Sequence, residues 1–234
     1  MPTLLSIDAT SDTCSVALST SHGIKQLISD TAREHTQRLL PMVDGLLDGD
    51  NIALDQLDAI VYGCGPGSFT GLRICLSIAQ GLAYGQNLPL IAVSSLETMA
   101  KGAVRLKQLS NCLVVPVIDA RMDEVYWAAY TVDAQGQITE VLSQQVSTPE
   151  ECYQNIIKLP YPVIHGVGSG WHYSTLNGMD SASVDIDLSP LAYDMLELVL
   201  ADYKESQFLK PTEAVPTYLR NEISWQKRKR IRST

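Results

Sequence analysis

Residues 63–73, GCGPGSFTGLR, combine four glycines with a proline, a serine, a threonine and an arginine. Such a run can bind phosphate through backbone N–H groups or present a hydroxyl nucleophile. Three specific patterns fail. The dinucleotide fingerprint GxGxxG requires glycine where Thr70 stands. A Walker A loop has one residue fewer than Gly65–Gly71 offers, and Leu72 occupies the lysine position. The nucleophile elbow GxSxG would need serine at Phe69, one place beyond Ser68. Two general readings stay open. A glycine turn opening a helix can hold an anion at the positive end of the helix dipole, with Gly65, Gly67, Ser68, Thr70 and Arg73 as its residues. Alternatively it is a tight strand-to-helix turn that Ser68 or Thr70 caps.

Other reactive side chains are sparse. The histidines are His22, His35, His165 and His172; His35 with Ser68 and Asp8 is the best Ser–His–Asp set available, and spacing does not suggest it. The five cysteines, Cys14, Cys64, Cys75, Cys112 and Cys152, include no CxxC pair and no histidine at ligand spacing. They describe neither a disulfide framework nor a zinc site, and fit a reducing cytoplasm. No metal and no cofactor is expected on this chain.

The elements that must position these residues occur twice. Leu4–Asp8, Ser15–Ser19 and Ile24–Ser29 read as three strands joined by tight turns. A helix, a buried strand (LDAIVYG), the glycine loop, a helix, the strand LPLIAV and the helix SSLETMAKGAVRLK follow. Near Asn111 the order restarts with three strands, a helix opening at Pro149, and the strand YPVIHGVGSG. Ile7-Asp8-Ala9 then matches Ile118-Asp119-Ala120, and Val61–Gly65 matches Ile164–Gly168. A meander followed by a βαβ crossover gives an α/β mixed sheet flanked by helices. Two copies predict a two-lobed, actin-like molecule, with lobes at 1–106 and 111–190 and a C-terminal helix and tail, 191–234, returning to the first lobe.

Of 234 residues, 45% are hydrophobic and 18% charged, and the net charge is −9, which argues against a surface that wraps nucleic acid. The tail QKRKRIRST holds five of the 17 basic residues and no acid, the pattern of a solvated tail. The N-terminus lacks a basic region and an apolar run, so no signal peptide or membrane span is expected.

Two helices carry more apolar surface than one sheet can cover. On the helix from Phe69, the polar Arg73, Ser77, Gln80 and Tyr84 share a strip of about 60°. On the helix from His35, Leu39, Leu40, Met42, Val43, Leu46 and Leu47 span about 160°. Pro41 is expected to kink that helix or start a fresh turn. Either the helices cover each other and the C-terminal helix, or another chain covers them.

REHTQRLLPMV, GPGSFTGLR with SIAQGLA, IDARMDEVYWA and PTYLRNEISW, in that order, resemble the TsaB (YeaZ) family of tRNA threonylcarbamoyladenosine biosynthesis proteins. The resemblance runs to about Trp225. It implies an actin-like fold and a non-catalytic cytoplasmic scaffold needed to modify the adenosine beside the anticodon in tRNAs that read codons starting with A. It implies that TsaD, the catalytic partner, binds the two helices through Leu39, Met42, Val43, Leu46, Ile74, Ser77, Ile78, Gly81 and Leu82. The same face is expected to form a homodimer when TsaD is absent. The ATPase TsaE is expected to dock at the junction, with Gly65, Gly67, Ser68, Thr70, Arg73 and Arg220 as candidate anion or TsaE-side contacts. ATP and metal belong to the partners, and tRNA is met through the complex. Departures agree with lost chemistry. Ser95 and Met99 stand where TsaD has its metal-binding histidines, and neither Asp8-Ala9-Thr10-Ser11 nor Asp119-Ala120-Arg121-Met122 keeps the glycine of a phosphate turn. The alternatives are an actin-like small-molecule kinase or ATPase, and a glycoprotease-type peptidase built on Ser68.

Overall fold

The computed structural model describes residues 1–30, 34–179, 182–204 and 207–220. The basic tail and the second half of PTYLRNEISW lie outside the described residues.

Among the described residues, ten strands form two five-stranded mixed sheets. The first contains β1 (Leu4–Asp8), β2 (Cys14–Thr20), β3 (Gly23–Ser29), β4 (Ala59–Gly65) and β5 (Leu90–Ser94), in the order β3-β2-β1-β4-β5. The second contains β6 (Cys112–Arg121), β7 (Glu124–Val132), β8 (Ile138–Ser147), β9 (Ile164–Val167) and β10 (Ala182–Asp185), in the order β10-β9-β6-β7-β8. Read from opposite ends the two orders are the same. β1 and β6 are each antiparallel to the next strand and parallel to the one after the crossover. The duplicated, actin-like architecture expected from the repeat is therefore present, with Asp8 and Asp119 at equivalent strand positions.

The helices make three layers around the sheets. Outside the first sheet lie α1 (His35–Asp50) and α2 (Phe69–Gln86). Their buried residues meet Leu5, Ile7, Val16, Leu18, Ile60 and Tyr62. The residues alternating with these, Leu4, Ala17, Ala59, Val61, Ile91 and Val93, point to the opposite face. There they pack on α6 (Ala192–Ala201) through Ala192, Met195, Leu196 and Val199. α3 (Ser95–Lys107) lies beside α6, but its Leu96, Met99, Ala100 and Ala103 join the core of the second sheet. The middle layer thus exchanges helices: the one following the first sheet covers the second, and the reverse. Arg105 ties the two helices by a bidentate pair to the buried Asp194, at 2.7 and 3.1 Å. Outside the second sheet lie α4 (Pro149–Ile156) and the short α5 (Ser174–Asn177), with Trp171 beneath them.

Local chemistry sets the helix ends. Thr148 and Glu151 form a reciprocal capping box around Pro149 at the start of α4. α1 and α2 stop at Asn51 and Asn87, both in the left-handed region that asparagine reaches more easily than other non-glycine residues. α1 runs unbroken through Pro41 rather than restarting there, so tertiary packing overrides the local cost of proline.

Candidate functional site

The glycine loop joins β4 to α2 and lies directly on the β1–β2 turn. A methyl group on Gly67 would overlap the Thr10 carbonyl oxygen, and one on Gly71 would overlap that of Ala9. Glycine is needed there for close backbone approach. Ser68 N–H donates to the Thr10 carbonyl at 2.8 Å, and Ser68 Oγ accepts from Gly71 N–H at 3.3 Å as the N-cap of α2. Two of the donors an anion would use are thus already bonded within the chain. Of the two readings of GCGPGSFTGLR, the geometry matches the capped turn.

Beneath the loop Asp8 is fully buried. Its carboxylate accepts from Thr10 N–H at 3.3 Å and Thr10 Oγ1–H at 3.0 Å, and Ser95 Oγ–H donates to Thr10 Oγ1 at 2.9 Å. Burial raises the Asp8 pKa to about 7, against the opposing effect of the Thr10 bonds. Ser95 is therefore part of a closed hydrogen-bond chain and Met99 part of the second-sheet core, at the two positions compared above with metal ligands. Among the described residues no three His, Cys, Asp or Glu side chains converge on a metal-sized site.

The structure does not assemble the triad of Ser68, His35 and Asp8. Each is engaged elsewhere, His35 Nε2 with the Ser11 carbonyl at 3.1 Å. All five cysteines are free and buried.

The second turn, between β6 and β7, is built differently. Arg121, Met122 and Asp123 all have positive φ, at 62, 59 and 57°. Asp119 accepts from Arg121 N–H at 2.8 Å and pairs with its guanidinium at 3.1 Å. Arg220 reaches this turn from the far end of the chain, with Nε donating to Glu124 at 2.9 Å and Nη2 to the Ala120 carbonyl at 3.2 Å. Arg220, expected as an anion or partner contact, is thus engaged in an internal ion pair with Glu124. Sequence inspection missed this pair, since 96 residues separate its members and no local pattern marks it. Arg73 is exposed and stacks over the Phe69 ring, 3.7 Å from its centroid. Thr70 is exposed too.

The outer face of α1 and α2 corrects the residues expected to meet a partner. Leu39, Val43 and Leu46 are 0, 1 and 6% exposed and pack into the first-sheet core, so they have no surface to offer. The inward stripe of α1 carries them because they recur at helical spacing toward β2 and β3. The remaining six lie at the surface: Met42, Ile74, Ile78 and Leu82 are half-buried, and Ser77 and Gly81 are exposed. A side chain on Gly81 would meet nothing within 4 Å. Leu40 and Tyr84 extend the exposed apolar surface of the same two helices. No described helix is long and apolar enough to cross a membrane.

A family model described as TsaD: tRNA N6-adenosine threonylcarbamoyltransferase matches residues 27–207. A Haemophilus influenzae protein named tRNA threonylcarbamoyladenosine biosynthesis protein TsaB is 42% identical, covering 96% of each chain. The Escherichia coli protein of the same name is 40% identical, covering 96% of this chain and 97% of its own. A solved structure of YeaZ from Pseudomonas aeruginosa superposes with a TM-score of 0.84 at 38% identity, covering 94% of this chain and all of that one.

Proposed function

The chain belongs to the TsaB family, and from that membership we propose that it is a non-catalytic subunit of the machinery that makes threonylcarbamoyladenosine in tRNA. Its role is to hold TsaD in working geometry and to provide a docking place for TsaE, with ATP, metal and group transfer on those partners. The observation that carries this reading is the face of α1 and α2. Two long helices leave Met42, Ile74, Ile78 and Leu82 half-covered around the flat positions Ser77 and Gly81. A second pair of helices laid on that strip would complete a four-helix bundle. The same face supports a homodimer when TsaD is absent, because a self-complementary patch satisfies two-fold symmetry. TsaE is placed at the adjoining N-terminal end of α2, where Arg73, Phe69 and Thr70 are exposed. The protein works in the cytoplasm and meets tRNA through the complex.

The scaffold reading is supported against a transferase by Ser95 and Met99, an oxygen donor tied to Thr10 and a core thioether. It is supported against a peptidase by the engagement of Ser68 in helix capping.

Light scattering coupled to size-exclusion chromatography tests the interface. The chain alone, its mixture with cognate TsaD, and both again with Gly81→Glu or Ile78→Glu are compared. The expected result is a dimer, then a heterodimer, with both lost in the variants. A monomer that ignores TsaD would overturn the reading.

A further inference from the structure

The segment after α6 crosses from the first sheet to the turn of the second. Leu209 pairs with Leu90 through two backbone bonds, at 2.8 and 2.9 Å. Gln80 Nε2 on α2 donates to the Pro211 and Ala214 carbonyls. Tyr62 Oη–H then donates to the Val215 carbonyl at 3.1 Å, and Thr217 N–H to the Cys64 carbonyl at 2.7 Å. Beyond this point the hold changes character. Tyr218, nearly half exposed, only tilts against Phe69 with ring centroids 6.0 Å apart. Arg220 then closes on Glu124 and on the carbonyls of Ala120 and Arg121.

The turn that Arg220 grips is strained, because three consecutive non-glycine residues sit in the left-handed region. Its conformation and the docking of Arg220 therefore support each other. The segment lies over Cys64, itself part of the first-sheet core. Thr217 Oγ1 lies 3.5 Å from Cys64 Sγ, and burial raises the Cys64 pKa.

We propose that residues 215–220 are a latch running from the end of β4 to the β6–β7 turn, closed by Arg220 on the 120–124 turn, whose release uncovers Cys64 and frees the left-handed turn. Arg220 is the positioning residue of this device, and Glu124 its counter-charge. Opening breaks the Tyr62–Val215 and Thr217–Cys64 bonds together with the Arg220 contacts, while the Leu209–Leu90 bridge and the Gln80 bonds stay in place and keep the segment attached to the first sheet. The device does not use Met42, Ile74, Ile78 or Leu82, although its anchors Gln80 and Phe69 lie on α2.

Native alkylation of the full chain with iodoacetamide, read peptide by peptide, tests it. Cys64 reports the latch; Cys152, fully buried in the outer core of the second sheet, reports global unfolding. Arg220→Ala and Glu124→Gln are each expected to raise the Cys64 rate about tenfold or more, as loss of a charge-assisted hydrogen bond implies, while the Cys152 rate stays at its wild-type value. Faster amide exchange at residues 121–124 should accompany the change in both variants. An unchanged Cys64 rate overturns the latch. So does equal acceleration at Cys64 and Cys152, which would make Arg220 a support of global stability alone.

Discussion

In the first half of the molecule, the turn after β1 is pressed from above by the glycine loop, and its carboxylate, Asp8, is sealed from water. In the second half, the turn after β6 is left at the surface, with Asp119 partly exposed and a left-handed run held by a residue from the C-terminal segment. The outer layers differ in the same sense. β4 leads into α2, an 18-residue helix with an unfilled outer face. Its counterpart β9 leads into a single 3-10 turn, Ser169–His172, whose Trp171 is fully buried and donates its indole N–H to the Val115 carbonyl at 2.9 Å. Gly166 makes room, since a methyl group there would overlap the indole ring. One half covers its outer face with the short helices α4 and α5 over Trp171; the other keeps two long helices with a half-covered strip. The two halves thus share their sheet order and differ in their outer layers.

The largest test of that contrast is Trp171→Ala. It removes a fully buried indole and is expected to cost about 3–5 kcal/mol, seen as a fall in the urea midpoint. A loss below about 1 kcal/mol would show that the second half does not rest on this side chain.

Asp8 comes next. Its folded pKa, about 7, lies above the ordinary carboxylate value of 3.8. The folded state therefore holds this proton more tightly than the unfolded chain does. The associated stability is complete below about pH 4 and is lost as pH rises to about 7, by roughly 2–4 kcal/mol. Asp8→Asn should flatten that part of the curve, so that between pH 5 and 8 the variant loses less stability than the wild type. Parallel pH profiles for the two proteins would contradict the sealed first turn.

Ser68→Ala should cost about 1 kcal/mol, because it removes the N-cap of α2 without opening a core cavity. If the variant instead lost affinity for an added anion at unchanged Tm, the capped-turn reading would be wrong.

Gly81→Glu is expected to move stability least, within about 1 kcal/mol and toward a gain, since glycine is a poor helix former and open space surrounds the site. The same change should abolish self-association. Pairing a stability-neutral variant with lost assembly is the result that separates an interface from a core.

Periodicity and order made much of this legible. The strands, the two long helices, the candidate cap and the two aspartates follow from local patterns, because strand alternation, helix spacing and caps are local, and the repeat follows from the recurrence of their order along the chain. The wheel also detected that α1 and α2 have surplus apolar surface, but it could not tell that Leu39, Val43 and Leu46, expected from the resemblance to meet a partner, face the first sheet. A wheel gives an arc's width but not its direction, and only the position of the first sheet sets which side faces inward.

The sequence by itself determined the duplicated fold and, through four ordered motifs, the family. The tertiary structure decided three other matters. α3 and α6 trade sheets across the middle layer, with Arg105 and Asp194 paired 89 residues apart. Trp171 fills the space beneath α4 and α5. Arg220 reaches back to Glu124. Each depends on contacts between distant segments, whose energies arise only after the sheets have formed and leave no period in the chain.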